Sequence, residues 1–179
     1  KPPLFYWLGA LTSFAHGATD EWSIRFPSAA LSLLCALGVF AVGCALWSPR
    51  AGMMSAIVLL TSFEWARAST NARVDMTLTF GLEVALLSVL FFLRQRRPLW
   101  LVPLYLGISW AVLGKGPVGV GLPGLVFLAM CLLARDIGPL RELRMLRGAI
   151  AVSLLAGSWY AAAVVIGGGT FIHAVLDEN

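Results

Sequence analysis

The run Thr70-Asn71-Ala72-Arg73-Val74-Asp75-Met76 separates two long apolar stretches and places an arginine and an aspartate two positions apart. An ionisable side chain at the mouth of a membrane helix is costly in hydrocarbon, so by default it faces a bundle interior or a water-filled site and has a function there. Asp75 is therefore expected on an active face, although the helix macrodipole alone also favours an aspartate in a first turn. Lys115 stands in Gly114-Lys115-Gly116-Pro117, where glycine and proline are expected to break a helix and leave a cation in an irregular turn. Glu21 and Arg25 are spaced for an i,i+4 pair that fixes the loop before a span. Glu64 lies near the end of the second apolar stretch, and Glu83 lies well inside the third, where a packed, protonated or paired glutamate is expected.

Composition says what must position these charges. Of 179 residues, 59% are hydrophobic and only 12% charged, against roughly 45–50% and 25% in soluble domains. The elements are therefore expected to be transmembrane helices. The net charge of +4 does not point to nucleic acid, because the arginines fall in short clusters between apolar runs. Cys35, Cys44 and Cys131 all lie inside apolar runs with no CxxC pair, which indicates neither a zinc site nor a disulfide framework.

In chain order, residues 1–16 are too short to span about 30 Å of hydrocarbon and carry Phe5, Tyr6 and Trp7, which suits an interfacial helix. A polar loop, 17–25, precedes six expected spans at about 27–47, 51–65, 76–93, 99–113, 118–134 and 148–166, the last ending at Gly167-Gly168-Gly169 and a mobile tail. Alternating sides then puts Arg50, Arg94, Arg96, Arg97, Arg135, Arg141, Arg144 and Arg147 on one face, eight of the thirteen basic residues. That face is expected to be cytoplasmic, since short cytoplasmic loops carry the Lys/Arg excess. The other face collects Lys1, Asp20, Glu21, Arg25, Arg67, Arg73, Asp75, Lys115, Asp177 and Glu178, a mixture of signs that topology does not require. A site on the outer face follows as the expectation.

Four segments carry a resemblance: KPPLFYW at the start, EWSIRFPSA, ARVDMTLTF and LGKGPVG. In this order, over nearly the whole chain, they resemble the polyprenyl-phosphate-sugar glycosyltransferases of the GT-C membrane fold. That group includes the dolichyl-phosphate-mannose protein mannosyltransferases and the bacterial aminoarabinose transferases that modify lipid A. The resemblance implies an all-α polytopic bundle in the bacterial inner membrane, with its site facing the periplasm. Its donor would be a sugar on undecaprenyl or dolichyl phosphate, and its acceptor lipid A, a protein or a glycan, with membrane lipids around it and no nucleic acid. It also implies that residues 1–179 are part of one transmembrane domain. Because the chain opens on Lys1 rather than methionine and closes on Asp177-Glu178-Asn179, a fragment is expected, lacking the family's first outer acidic loop and the C-terminal remainder.

By the same resemblance, Lys1 matches the lysine of the KPP motif at the mouth of the lipid-phosphate site, its alternative being an interfacial anchor. Asp75 matches the family's second acidic position, either orienting the acceptor or holding a basic residue, and is the expected catalytic residue. Arg73, Lys115 and, more weakly, Arg67 are expected phosphate contacts, arginine's fork and the lysine point charge both suiting phosphate oxygens. Glu21 and Arg25 match an E-x-x-x-R-x-P-S element that builds the site rather than acts in it, and Glu178-Asn179 stand where an E-N element occurs. No cofactor is firmly implied; some relatives bind a divalent metal, but the two histidines are His16 and His173, and one histidine beside Asp177 and Glu178 is thin ground for a site, so no metal is expected here. The competing reading is a non-enzymatic polytopic protein such as a transporter fragment, which predicts midplane charges and an internal repeat. Only Glu83 is at depth, and no repeat relates the halves.

Overall fold

A computed structural model describes residues 2–136, 138 and 142–177, with side chains to residue 167. Among them the regular structure is helical throughout: α1 (Leu4–His16), α2 (Glu21–Leu46), α3 (Pro49–Thr61), α4 (Phe63–Thr70), α5 (Asp75–Gln95), a 3-10 turn Pro98–Trp100, α6 (Leu101–Lys115), α7 (Val118–Ala134), α8 (Met145–Val152), a π-helical turn Ser153–Gly157 and α9 (Ser158–Asp177). Four segments are long and apolar enough to cross a membrane: Glu21–Leu46, Asp75–Gln95, Pro98–Lys115 and Met145–Gly167. Pro49–Thr61 and Val118–Ala134 are apolar but shorter. The hydrophobic exterior fits hydrocarbon: Phe14, Leu133, Val165 and Ile166 are each more than four-fifths exposed.

Three boundaries differ from the sequence expectation, each for a local reason. The first span starts at Glu21, because Asp20 and Ser23 form a reciprocal capping box, the Asp20 carboxylate accepting the Ser23 amide at 2.8 Å. That bond holds the Asp20 carboxyl below its ordinary range. Pro27 consequently lies inside the helix and cannot donate to Ser23 O, and the Thr12 hydroxyl of α1 donates to that carbonyl instead. The second expected span breaks at Ser62, whose extended backbone (φ −66°, ψ 130°) separates α3 from the polar α4. Trp65 then ties α4 to α2 through an indole N–H bond to Ser32 Oγ at 2.9 Å. Finally, α9 runs through Gly167-Gly168-Gly169 to Asp177, so the expected mobile tail is helical over that stretch. Hydrocarbon supplies no competing partner for a backbone amide, so glycines that would end a helix in water are carried inside one.

The densest packing joins α5 to α6. A Cβ on Gly81 would stand 2.7 Å from Gly107 O, and one on Gly107 2.7 Å from Gly81 O, so these backbones meet where only hydrogen fits. Small residues at such crossings are how membrane helices gain van der Waals contact without a hydrophobic drive. Ala85, Val89, Phe92, Leu104 and Ile108 continue the seam, which Phe127 of α7 joins. This fixed pair carries the two chemistry-bearing ends, Asp75 and Lys115, side by side.

Candidate functional site

Asp75 is the first residue of α5, and Val74 occupies the cap position without a side-chain bond. The carboxylate is therefore not a helix cap. Its Oδ1 accepts from Lys115 Nζ at 2.6 Å, and its Oδ2 lies 3.6 Å from Arg73 Nε. Lys115 ends α6 rather than lying in the irregular turn, which begins at Gly116 (φ 75°, ψ −144°), a conformation in the positive-φ region where a Cβ is strained. The α5–α6 contact extends to this end: a Cβ on Gly114 would stand 3.2 Å from Thr77 Cγ2, and the Trp110 indole donates to Thr77 O at 3.1 Å. Two helix termini forty residues apart in sequence are thereby held at ion-pair distance. Both partners stay accessible, Asp75 37% and Lys115 44% exposed, as a site that must admit a ligand requires.

The Gly116 turn is also a meeting point. A Cβ built there would stand 3.5 Å from the Tyr160 hydroxyl of α9 and 3.9 Å from Pro2 Cγ, so Pro2 lies against the Gly116 turn. Tyr160 donates to Val112 O at 3.3 Å, beside the amide of Gly116 that donates to the same carbonyl at 2.7 Å. Asp75 also lines a cavity of about 310 Å³, together with Arg73, Thr79, Trp65, Ser62, Glu64 and Arg67 among others. A larger hollow, about 840 Å³, runs along α1, but among the described residues no charged side chain lines it, so the ionic chemistry belongs to the smaller one.

The structure thus brings together Asp75, Arg73, Lys115 and Arg67 but gives them unequal freedom. Arg67 is held by Glu64, whose Oε2 accepts from both Nε (3.0 Å) and Nη2 (2.7 Å). Lys115 uses one ammonium proton on Asp75 and keeps two for another acceptor. Glu21 and Arg25 form the i,i+4 pair expected of them at 3.1 Å, on the first turns of α2 and outside the cavity lining. Lys1, Glu178 and Asn179 lie outside the described residues. Among the described residues no three His, Cys, Asp or Glu side chains converge. Sequence reasoning missed Trp65 and Tyr160. The amphipathic tail of the second apolar stretch was a signal for Trp65, whereas nothing local marks Tyr160 among the aromatic residues of α9.

A family model described as dolichyl-phosphate-mannose-protein mannosyltransferase matches residues 1–160. The chain belongs to this family. It is 29% identical over its whole length to an uncharacterised protein of Aquifex aeolicus, covering 36% of that protein. It is 30% identical, over 89% of its length, to the undecaprenyl phosphate-alpha-4-amino-4-deoxy-L-arabinose arabinosyl transferase of Pectobacterium atrosepticum, covering 29% of it. Crystal structures of ArnT from Cupriavidus metallidurans superpose with TM-scores of 0.82 in the apo state and 0.84 bound to undecaprenyl phosphate, at 26% identity. Those superpositions cover 92% and 94% of this chain and 32% of ArnT in each case. The family member described here is an integral membrane protein with the GT-C helical architecture, and it spans about a third of the length of these relatives.

Proposed function

We propose that the chain carries part of the donor site of a membrane glycosyltransferase that takes a sugar from a polyprenyl phosphate. Family membership and the likeness to ArnT, solved with undecaprenyl phosphate, support that class. The observation that carries the site assignment is the Lys115–Asp75–Arg73 chain of contacts beside the Gly116 turn and Pro2. Such a donor has a phosphodiester oxygen on the anomeric carbon. In a single displacement the acceptor oxygen bonds to that carbon as the carbon–oxygen bond to phosphate breaks, which inverts the centre and releases polyprenyl phosphate with its electron pair. Charge grows on the departing phosphate, and fixed cations aimed at it stabilise the transition state more than the ground state.

In this reading Lys115 and Arg73 meet the phosphate oxygens and Asp75 holds both in place. Where the acceptor is a hydroxyl, Oδ2 is the oxygen to take its proton, because Oδ1 is committed to Lys115 at the shorter distance. Lys1 adds a third cation through its motif, and Glu21 and Arg25 brace the start of α2. The acceptor is lipid A, a protein hydroxyl or another glycan, and the site faces the periplasm, a sidedness supported by the excess of arginine at the opposite end. Transfer from a synthetic polyprenyl-phosphate sugar by the purified full-length protein tests this. Mass spectrometry of lipid A and secreted proteins from a strain lacking the gene names the acceptor. Loss of no glycoform in that strain, together with no transfer in vitro, would refute the proposal.

A further inference from the structure

Among the described residues Glu83 is the one acidic side chain well away from the ends of a span, eight residues into α5 beyond Asp75. On insertion scales a charged residue at such depth costs about 2.5–3.5 kcal/mol, so a polar group kept there needs a partner and a purpose. Its partner is α2. The carboxyl sits over Gly38, where a Cβ would overlap Glu83 Oε1, beside the thiol of Cys35, which is 1% exposed. Glycine at 38 is thus the seat for this side chain, and a Cβ there would also stand 3.5 Å from Leu87 Cδ1 of α5.

What α2 carries gives the seat a consequence. Ser32 accepts the indole N–H of Trp65, which lines the cavity beside Asp75. Nearer its start, Ser23 O accepts from Thr12 of α1, and the Ser13 and Ser23 hydroxyls meet at 3.1 Å. The segment leading into α1 is the one whose Pro2 abuts the Gly116 turn beside Lys115. Both the cavity wall and Pro2 therefore hang on α2, while Asp75 belongs to α5. We propose that Glu83 is a positioning residue: seated over Gly38 against Cys35, its carboxyl sets how far α2 lies along α5, and so sets Trp65 and Pro2 against the Asp75–Lys115 pair. The inference rests on the donor-site reading for its kinetic consequence, while the α2–α5 seat stands on geometry.

The role separates from simple stabilisation, because removing a mid-span carboxylate makes insertion easier. Glu83→Leu should express and purify as well as the parent yet lose at least about tenfold in kcat, with donor KM little changed, as expected when reacting groups are misplaced in a bound complex. Glu83→Gln, which keeps the shape and a hydrogen-bonding oxygen, should stay within about threefold of the parent. Gly38→Ala should lose activity in the same way, and Glu83→Asp in the Gly38→Ala protein should recover most of it, since the shorter side chain vacates the space a methyl needs.

An activity-independent readout is the N-ethylmaleimide labelling rate of Cys35 in full-length protein carrying Cys44→Ala and Cys131→Ala. Labelling should be slow with Glu83 or Gln at position 83 and faster in Glu83→Leu and Gly38→Ala. Parental kcat in Glu83→Leu, or no recovery in the Gly38→Ala/Glu83→Asp protein, would overturn the proposal. Equal labelling of Cys35 in all variants would overturn it as well. Absence of transfer by the parent with the labelling order intact would instead sink the donor-site reading on which the kinetic role depends.

Discussion

At the end of the bundle where α5 starts, Lys115, Asp75 and Arg73 are linked by contacts of 2.6 and 3.6 Å, drawn from two helix termini and a linker. At the opposite end Arg50, Arg94, Arg97, Arg135, Arg144 and Arg147 stand exposed, and among the described residues Arg96 alone of these arginines has an ionic partner, Glu142. Arg96 and Arg135 follow the last turns of α5 and α7 in left-handed cap conformations (φ 55° and 51°), where the helix dipole favours any cation. Apart from Arg96, those arginines are satisfied by position. The cations at the α5 start are satisfied by a carboxylate that other residues hold in place. Charge that orients a membrane protein needs only to be on the right side of it, whereas charge that handles a ligand must be fixed in direction, and the fixing shows as one carboxylate contacting two cations, Lys115 and Arg73.

The two ends should differ most in sidedness, where the expected effect is all or none. With the native cysteines replaced, a cysteine at Thr70 in the full-length protein should label with a membrane-impermeant thiol reagent in intact cells, while one at Gln95 should label only after lysis. The reverse pattern would put the paired cluster in the cytoplasm. Next in size is the carboxylate. Asp75→Asn keeps the volume but loses the charge that aims two cations, and should lower turnover at least about tenfold, roughly 1.4 kcal/mol of barrier. Near-normal turnover with monodisperse protein would make Asp75 a bystander.

These residues also mark how much was legible from sequence. The start of α5 within a residue of Asp75, the end of α6 within two residues of Lys115, the bounds of α7 and the sorting of charges to two ends follow from breaks in apolar runs, because hydrocarbon admits few alternatives to a helix bounded by polar residues. The pairing of Asp75 with Lys115 was not legible. Their separation of forty residues is closed by Gly81 against Gly107 and Gly114 against Thr77, and such backbone contact leaves no periodic signal. The break at Ser62 was hidden for the opposite reason: no glycine or proline marks it, and it is set by Trp65 reaching Ser32 thirty-three residues away. Gly167-Gly168-Gly169 misled because a rule learned in water was applied to a helix in lipid.

A smaller effect is expected at Arg73. Arg73→Ala should weaken donor use, and combined with Asp75→Asn it should cost less than the sum of the two single changes, because neighbours that act as one unit are not additive. Strict additivity, measured as transfer rates of the four proteins, would mean that the 3.6 Å contact carries no coupling. The smallest expected change is at the other end. Arg96→Gln should alter stability by about 0–1 kcal/mol, as exposed ion pairs do, and leave transfer unchanged. A severalfold loss of transfer on removing this arginine would erase the contrast between the two ends.

The central claim is that the cations at the α5 start bind the donor phosphate, and binding of undecaprenyl phosphate itself tests it without requiring the sugar or the acceptor. Native mass spectrometry or a detergent binding assay on the full-length protein should show affinity lowered about tenfold by Lys115→Met, roughly 1.4 kcal/mol, and partly restored by Lys115→Arg. Arg97→Gln, at the other end, should bind as the parent does. Parental affinity in Lys115→Met, or an equal loss in Arg97→Gln, would contradict the assignment of the phosphate to this end of the bundle.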